Sequence, residues 1–213
     1  MNRRVAVVLC AYLLAIAAYF TLGFTGRIAS CEWFMIVPTL VAAAAAFTHA
    51  AKGGWLIPLA LLCSAAGDYG GAVDAFIPQV TCFAIAHSFY IDDFAPRYRF
   101  SRGRCVAAII YSLPLLGYLL FILMHSHSIE ESVVVGIYGA IILTMGLATI
   151  FQERKHRTWY IVAATIFIFS DSVIVYTRFI DSLPHAGTFI MATYYTAQGL
   201  FLTLHALRHS PQE

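Results

Sequence analysis

A single carboxylate lies near the middle of a long apolar stretch, where little water is expected. Asp171 stands within Trp159–Tyr176, a segment otherwise typical of a membrane-spanning helix. On insertion scales, a carboxylate at the centre of such a helix costs about 2.5–3.5 kcal/mol. A residue this costly is expected to have a partner, a wet cavity or a proton to move. The sequence therefore predicts chemistry or transport inside the membrane, with Asp171 at its centre.

Few other strongly polar side chains lie inside the apolar segments. Asp68 lies about 14 residues after Gly54, or ~21 Å along a helix, and Asp171 lies 12 residues after Trp159, or ~18 Å. Two carboxylates at similar depth can converge in the interior of a helix bundle. Pairs spaced i, i+3 or i, i+4 share a helix face. The remaining candidates are His87 and Tyr90 on one segment, Ser170 beside Asp171, and Tyr194, Tyr195 and Gln198 on another.

Each candidate also has a purely structural interpretation. Asp68 could lie at a fraying helix end near the outer membrane surface, since Tyr69–Gly71 follows it with two glycines. Asp171 could pair with Tyr or Ser hydroxyl groups, and His87 could form a hydrogen bond between helices. The segment that carries Asp68 is long enough to span a membrane only if its helix continues through Gly67.

The composition places these segments in a membrane. Hydrophobic residues make up 61% of the chain and charged residues 11%, against about 25% charged in ordinary globular domains. Apolar windows of about 20 residues predict an all-α polytopic membrane protein, a bundle of eight transmembrane helices in a single integral membrane domain over residues 1–213. The predicted spans are Val5–Phe24, Cys31–His49, Gly54–Tyr69, Ala75–Phe94, Cys105–Met124, Val133–Phe151, Trp159–Phe179 and Thr188–Leu207.

The distribution of basic residues predicts the orientation. Cytoplasmic loops collect Lys and Arg, and eight spans with a cytoplasmic N-terminus place all of the 13 basic residues inside except Arg27 and Arg178. Both termini are therefore expected in the cytoplasm. The first span follows Arg3 and Arg4 and is interpreted as an uncleaved signal anchor. The short loops favour a bacterial cytoplasmic membrane.

Several other kinds of site are not predicted. The net charge of +2 and the lack of a basic groove with interleaved aromatic residues give no signal for nucleic acid. The five cysteines mostly lie in apolar runs without Cys-x-x-Cys spacing, so we expect neither a disulfide framework nor a metal site. Of the eight histidines, only His87 lies deep in a span, and no three-histidine zinc site is visible. The sequence gives no signal for an oligomeric state.

An ordered set of short motifs runs from about the second span to the C-terminus. It consists of Gly67-Asp68, His87, Tyr90, Pro114, Tyr138, Met145, Phe169–Ser172, Arg178-Phe179, Tyr195 and Gln198. This set resembles the lysoplasmalogenase family of polytopic membrane proteins. The family usually has a Lys before the proline of the second span, whereas Val37 precedes Pro38 here.

The resemblance implies a hydrolase that cleaves the vinyl-ether bond of lysoplasmalogens, lysophospholipids of the bilayer, to a fatty aldehyde and glycerophosphoethanolamine or glycerophosphocholine. Vinyl ethers hydrolyse by protonation at carbon, addition of water to the oxocarbenium ion and collapse of a hemiacetal. This series of reaction steps needs a general acid and a second group that holds the water.

The resemblance also assigns roles to the candidate residues. We expect Asp171 to be the acid and Asp68 to be its ionised partner and the base for water, or the reverse. No metal and no cofactor are required. The residues expected to orient the pair or the substrate oxygens are His87, Tyr90, Ser170, Tyr195 and Gln198.

Another lipid hydrolase or lipid-modifying activity stays open at this point, as do two functions without lipid chemistry. A small proton-coupled transporter would use Asp68, Asp171 and His87 as a relay, although the two weakly similar halves would run in the same direction and would form no inverted repeat. A catalytically inactive lipid-binding protein is the other alternative, and Val37 favours it. Release of aldehyde from lysoplasmalogen distinguishes the vinyl-ether hydrolase from these alternatives.

Overall fold

The computed structural model describes residues 3–25, 32–50, 54–126 and 128–208. Two short 3₁₀ helices, Glu32–Met35 and Ala95–Arg97, lie between α-helices in this part of the chain. The predicted all-α fold is confirmed, while Cys31 at the start of the second predicted span lies outside the described residues, as do Arg27 and Lys52. The eight described α-helices are α1 Arg3–Phe24, α2 Ile36–Phe47, α3 Leu56–Ala72, α4 Phe76–Phe94, α5 Arg102–His125, α6 Ile129–Phe151, α7 Arg157–Phe179 and α8 Ala186–Leu207.

Each predicted span overlaps one of these helices. The doubtful third span is helical from Leu56 to Ala72, so α3 continues through Gly67 and Asp68. Asp68 is 2% exposed. It is therefore a buried residue within a helix, and it does not lie at a fraying helix end.

Four of the described helices are long and apolar enough to cross a membrane, namely α1 from Val5 onward, α5, α6 and α7. The apolar helices α2 and α3 are shorter. Large apolar side chains such as Leu14 on α1 and Leu113 on α5 are exposed. A helix satisfies its backbone polar groups internally, so such faces suit hydrocarbon. These helices are those of a multi-pass integral membrane protein.

The chain divides into two compact units. The first comprises Met1–Phe89 and Gln198–Glu213, and the second comprises Tyr90–Ala197. In the first unit, α2 packs against α1 and α3. In the second unit, α6 packs against both α5 and α7, and α5 also contacts α7.

The helix ends of the second unit are held by short polar contacts. Ser128 caps α6 by accepting a hydrogen bond from the backbone N–H of Glu131 at 3.1 Å, which satisfies one of the free amides of the first turn. Glu131 also forms an ion pair of 2.8 Å with Arg178, at the end of α7. At the opposite end, the backbone N–H of Arg99 donates to the carbonyl of Phe151 at 2.8 Å. Consecutive helices among α5, α6 and α7 are therefore antiparallel.

Gly70 provides a stability test of the first unit, because α3 and α4 approach closely there. An added Cβ would lie 2.9 Å from the backbone N and Cα of Gln79, and backbone atoms cannot rotate away. Gly70→Ala is expected to lower the free energy of unfolding by about 1–3 kcal/mol through overpacking. The unfolding temperature of the variant in detergent, compared with that of the wild type, measures this loss of stability.

Gly117→Ala on α5 is the matched control, since an added Cβ there meets nothing within 4 Å. Alanine is favoured over glycine inside a helix by about 0.5–1 kcal/mol, so this variant should be at least as stable as the wild type. Equal unfolding temperatures for the two variants would contradict the close approach of α3 and α4.

Candidate functional site

The carboxylate of Asp171 is buried in the second unit, between α6 and α7. The residue is 6% exposed, and α7 continues for two further turns to Phe179. Tyr138 of α6 donates its hydroxyl hydrogen to Oδ2 of Asp171. Oδ1 is also buried and has no hydrogen-bond partner among the described residues. A buried polar atom left without a partner costs about 1–3 kcal/mol, so Oδ1 is the atom of this site that a bound molecule or a proton would satisfy.

A groove lies beside this carboxylate, between α5, α6 and α7. About 540 Å³ of space lies along it, much of which is open to the surroundings. Asp171, Tyr138 and Ser172 supply its polar groups, together with Tyr118, whose hydroxyl donates to the backbone carbonyl of Ser172 at 2.6 Å. Aliphatic side chains from all three helices, among them Leu119, Ile122, Ile142 and Val175, form much of the remaining wall. The groove thus joins an apolar trough to one carboxylate.

Ser170 and the aromatic candidates of the second unit are buried around the same helices. Ser170 donates its hydroxyl hydrogen to the backbone carbonyl of Ile190 at 2.9 Å, which ties α7 to α8. Tyr90 is fully buried and its ring stacks on Phe94, with ring centroids 6.3 Å apart. Tyr195 is buried beside Tyr194, at a centroid distance of 5.5 Å. Each of the three candidates is thus held by contacts within the second unit.

Asp68 has a similar environment in the first unit. Thr39 of α2 donates its hydroxyl hydrogen to Oδ2 of Asp68 at 2.6 Å, and the pair is buried. Gly67 lets α4 approach, since an added Cβ would meet the ring of Phe83 at 3.0 Å. A hydroxyl on a neighbouring helix thus holds this carboxylate as well.

His87 and Gln198 also belong to the first unit, and both are fully buried. The Nδ1 atom of His87 lies 2.5 Å from the backbone carbonyl oxygen of Phe83. A carbonyl oxygen only accepts, so this contact places the proton on Nδ1. Nε2 is then the acceptor nitrogen of the ring. Asp68, His87 and Gln198 thus lie in one unit and Asp171, Ser170, Tyr90 and Tyr195 in the other.

The hydroxyl partners of the two carboxylates are absent from the predicted site. Tyr138 is one of the family motif residues, but no role is predicted for it. Thr39 lies in an apolar run, and nothing in the sequence indicates that it contacts Asp68. Tyr118 is likewise not predicted. A search for hydroxyl residues at the depth of each aspartate on adjacent spans would have found Tyr138. Within the described ranges, no three His, Cys, Asp or Glu side chains lie together in a group that could hold a metal ion.

These features define a class, a multi-pass membrane protein with carboxylates buried among its helices. The YhhN family matches residues 31–204, and the chain belongs to this family. The predicted family resemblance is therefore confirmed. No solved structure matches the chain.

Several relatives share sequence over most of the chain. Human "Lysoplasmalogenase TMEM86B" is 34% identical over 209 residues, which cover 92% of this chain and 85% of the human protein. The rat protein of the same name is 37% identical over 164 residues, covering 74% of this chain and 65% of the rat protein. A lysoplasmalogenase of Mycobacterium bovis is 32% identical over 148 residues, covering 66% of this chain and 56% of that protein.

The hydrogen bond between Tyr138 and Asp171 can be tested with a double-mutant cycle. Tyr138→Phe should lower the free energy of unfolding by about 0.5–1.5 kcal/mol, the usual range for a hydrogen bond between neutral groups. Asp171→Leu removes the acceptor. Because the two residues share one bond, the double variant should lose less than the sum of the single losses, with a coupling energy of about 0.5–3 kcal/mol. Chemical unfolding in detergent measures all three variants.

Tyr111→Phe combined with Asp171→Leu is the control cycle. The Tyr111 hydroxyl lies 3.1 Å from Oγ1 of Thr165, so its loss should add to that of Asp171→Leu without coupling. Additive losses in the Tyr138 cycle would show that the bond contributes nothing to stability.

Proposed function

We propose that this chain hydrolyses the vinyl-ether bond of lysoplasmalogens and releases a fatty aldehyde together with glycerophosphoethanolamine or glycerophosphocholine. One observation carries the proposal: Oδ1 of Asp171 is buried beside an apolar groove and has no hydrogen-bond partner in the described part of the chain. Similarity to proteins named lysoplasmalogenase supports it, at 34% identity across 92% of the chain for the human relative.

Asp171 is the proposed general acid. Its protonated carboxyl group gives a proton to the vinyl carbon that is not bonded to oxygen, and the carbon bonded to oxygen becomes an oxocarbenium ion. Water adds to that carbon and loses a proton, which returns to a carboxylate. The hemiacetal hydroxyl then gives its proton to Asp171, the C–O bond to glycerol breaks, and the glycerol oxygen takes the proton that came from the attacking water, so both carboxyl groups return to their starting states. General acid–base assistance of this kind contributes about 10²–10⁴-fold to the rate.

The contacts of Asp171 support this assignment. Tyr138 donates to Oδ2, so a proton on the carboxyl group belongs on Oδ1. Oδ1 is the oxygen without a hydrogen-bond partner among the described residues. Tyr138 would therefore fix the carboxyl group and leave the reactive oxygen to the substrate. This makes Tyr138 a positioning residue.

Asp68 is the proposed second carboxylate, which accepts the proton of the attacking water. Its burial and its hydrogen bond from Thr39 support a defined orientation. His87, with its acceptor Nε2, and the amide of Gln198 are proposed to orient Asp68 or the substrate oxygens. Tyr90, Ser170 and Tyr195 are proposed to do so beside Asp171. The proposed reaction needs no metal and no cofactor.

The decisive experiment is aldehyde release by the purified protein from a lysoplasmalogen in mixed micelles. The wild type should release aldehyde, and Asp171→Asn and Asp68→Asn should each lower kcat by about 10²–10⁴-fold, because asparagine cannot transfer the proton. Each unit contains an exposed aspartate for a matched control, Asp181 beside α7 and Asp74 after α3.

Asp181→Asn and Asp74→Asn should keep wild-type kcat. A wild-type protein that releases no aldehyde would overturn the proposed function and favour transport or lipid binding. Full activity in Asp171→Asn or Asp68→Asn would leave the activity standing and remove the two-aspartate mechanism.

We also propose that all eight helices cross a bacterial cytoplasmic membrane as one integral domain, with both termini in the cytoplasm. The loops expected on the cytoplasmic side support this, since Glu153 pairs with Arg99 and its backbone N–H donates to Arg97 at 2.7 Å. Alkaline phosphatase, which is active only outside, should be inactive when fused after Arg208 and active when fused after Ser126. Activity after Arg208 would contradict the topology.

A further inference from the structure

The groove beside Asp171 is lined mostly by apolar side chains, as expected of a site that holds a hydrocarbon chain. Its polar groups lie on three helices around one carboxylate, and Ile122, Val135, Ile142 and Ile168 form a buried apolar floor. Leu119 and Val175 are half-buried. An apolar trough beside a carboxylate suits a molecule with one reactive polar group and one hydrocarbon chain.

The helices that line the groove also suit a hydrocarbon environment. Its walls come from α5, α6 and α7, three of the helices that are long and apolar enough to cross a membrane. Leu115 to Ile122 on α5 and Ile168 to Val175 on α7 each cover about 10 Å at ~1.5 Å per residue. A groove of this length is long enough for only the first part of a lipid-length hydrocarbon chain.

Leu119 of α5 packs closely against α6 because position 139 of α6 is a glycine. An added Cβ at Gly139 of α6 would lie 2.7 Å from Cδ1 of Leu119 on α5. The Leu119 side chain therefore packs directly on the backbone at Gly139. At Gly136, one turn earlier on the same helix, no described residue lies within 4 Å of such a Cβ. The contact is thus specific to the position that lines the groove.

We propose that this groove holds the alkenyl chain of the substrate with its vinyl-ether bond at Asp171, and that Leu119 and Gly139 are specificity-determining residues that restrict the groove to one unbranched chain. The inference rests on the proposed hydrolysis of lysoplasmalogens. Leu119 fills the width that a methyl branch on the chain would need. Gly139 leaves room for Leu119, so a side chain at position 139 pushes Leu119 into the path of the chain.

The first test compares lysoplasmalogens with unbranched and methyl-branched alkenyl chains. Leu119→Ala should shift the ratio of kcat/KM values toward the branched chain by about tenfold, since one methyl group in an apolar pocket changes discrimination by about 10–200-fold. Leu120→Ala is the matched control, because Leu120 is the next residue on α5 and is exposed. The proposal is overturned if both variants keep the wild-type ratio.

A second pair of variants tests the glycine. Gly139→Val should lower kcat/KM for both chains by about tenfold or more, and Gly136→Val should not. Leu119 is a flexible side chain that can rotate, so the Gly139 variant is expected to fold. Adding Leu119→Ala to Gly139→Val should restore activity toward the unbranched chain. Wild-type kcat/KM in Gly139→Val would contradict the proposal.

A binding experiment separates this inference from the proposed function. The probe is a 1-O-alkyl lysophosphatidylethanolamine, which has no vinyl bond to hydrolyse, with a diazirine in the first part of its chain. Photolysis should label residues 115–122 or 135–143 in the wild type, and excess unlabelled lipid should prevent it. Labelling there without aldehyde release would retain the groove and reject the hydrolase. Aldehyde release with labelling confined to other segments would reject the groove and retain the hydrolase.

Discussion

The second unit depends on how a carboxylate is kept inside an apolar helix. An aspartate at the centre of a spanning helix costs about 2.5–3.5 kcal/mol. The Tyr138 hydroxyl offsets part of that cost through its bond to one carboxylate oxygen. The remaining oxygen, Oδ1 of Asp171, is buried and has no partner among the described residues. This incomplete compensation is typical of a functional site, because a purely structural aspartate is expected to have both oxygens satisfied.

The first unit uses the same kind of contact on different helices. Thr39 on α2 donates to Asp68 on α3 at 2.6 Å, as Tyr138 on α6 donates to Asp171 on α7. In both units a neutral hydroxyl on a neighbouring helix donates to one carboxylate oxygen. A neutral donor fixes the orientation of the group without adding a charge that would commit it to the ionised form. Such a carboxyl group can both give and receive a proton, as acid–base catalysis requires.

The helices could be predicted from the sequence, but the contacts of the site could not. Apolar windows locate the helices because a helix satisfies its own backbone polar groups in apolar surroundings, and α3 continues through Asp68 as the predicted third segment does. The rise per residue placed both aspartates deep in their helices. The choice of Thr39 and Tyr138 as partners depends on how each helix is rotated against its neighbour. The groove depends on the approach of Gly139 to Leu119, 20 residues apart on two helices, which the spacing along one segment does not contain.

If a buried carboxyl group protonates a vinyl carbon, the hydrogen that it delivers stays on that carbon in the aldehyde. Hydrolysis in heavy water, with the aldehyde reduced at once to its alcohol to prevent exchange, detects this hydrogen as deuterium. Protonation at carbon by a fixed acid predicts one deuterium in each product, on the carbon next to the former carbonyl and with a single stereochemistry. Asp171→Asn should slow the incorporation of deuterium by the same factor by which it lowers kcat. Aldehyde that carries no deuterium at this carbon would contradict the account.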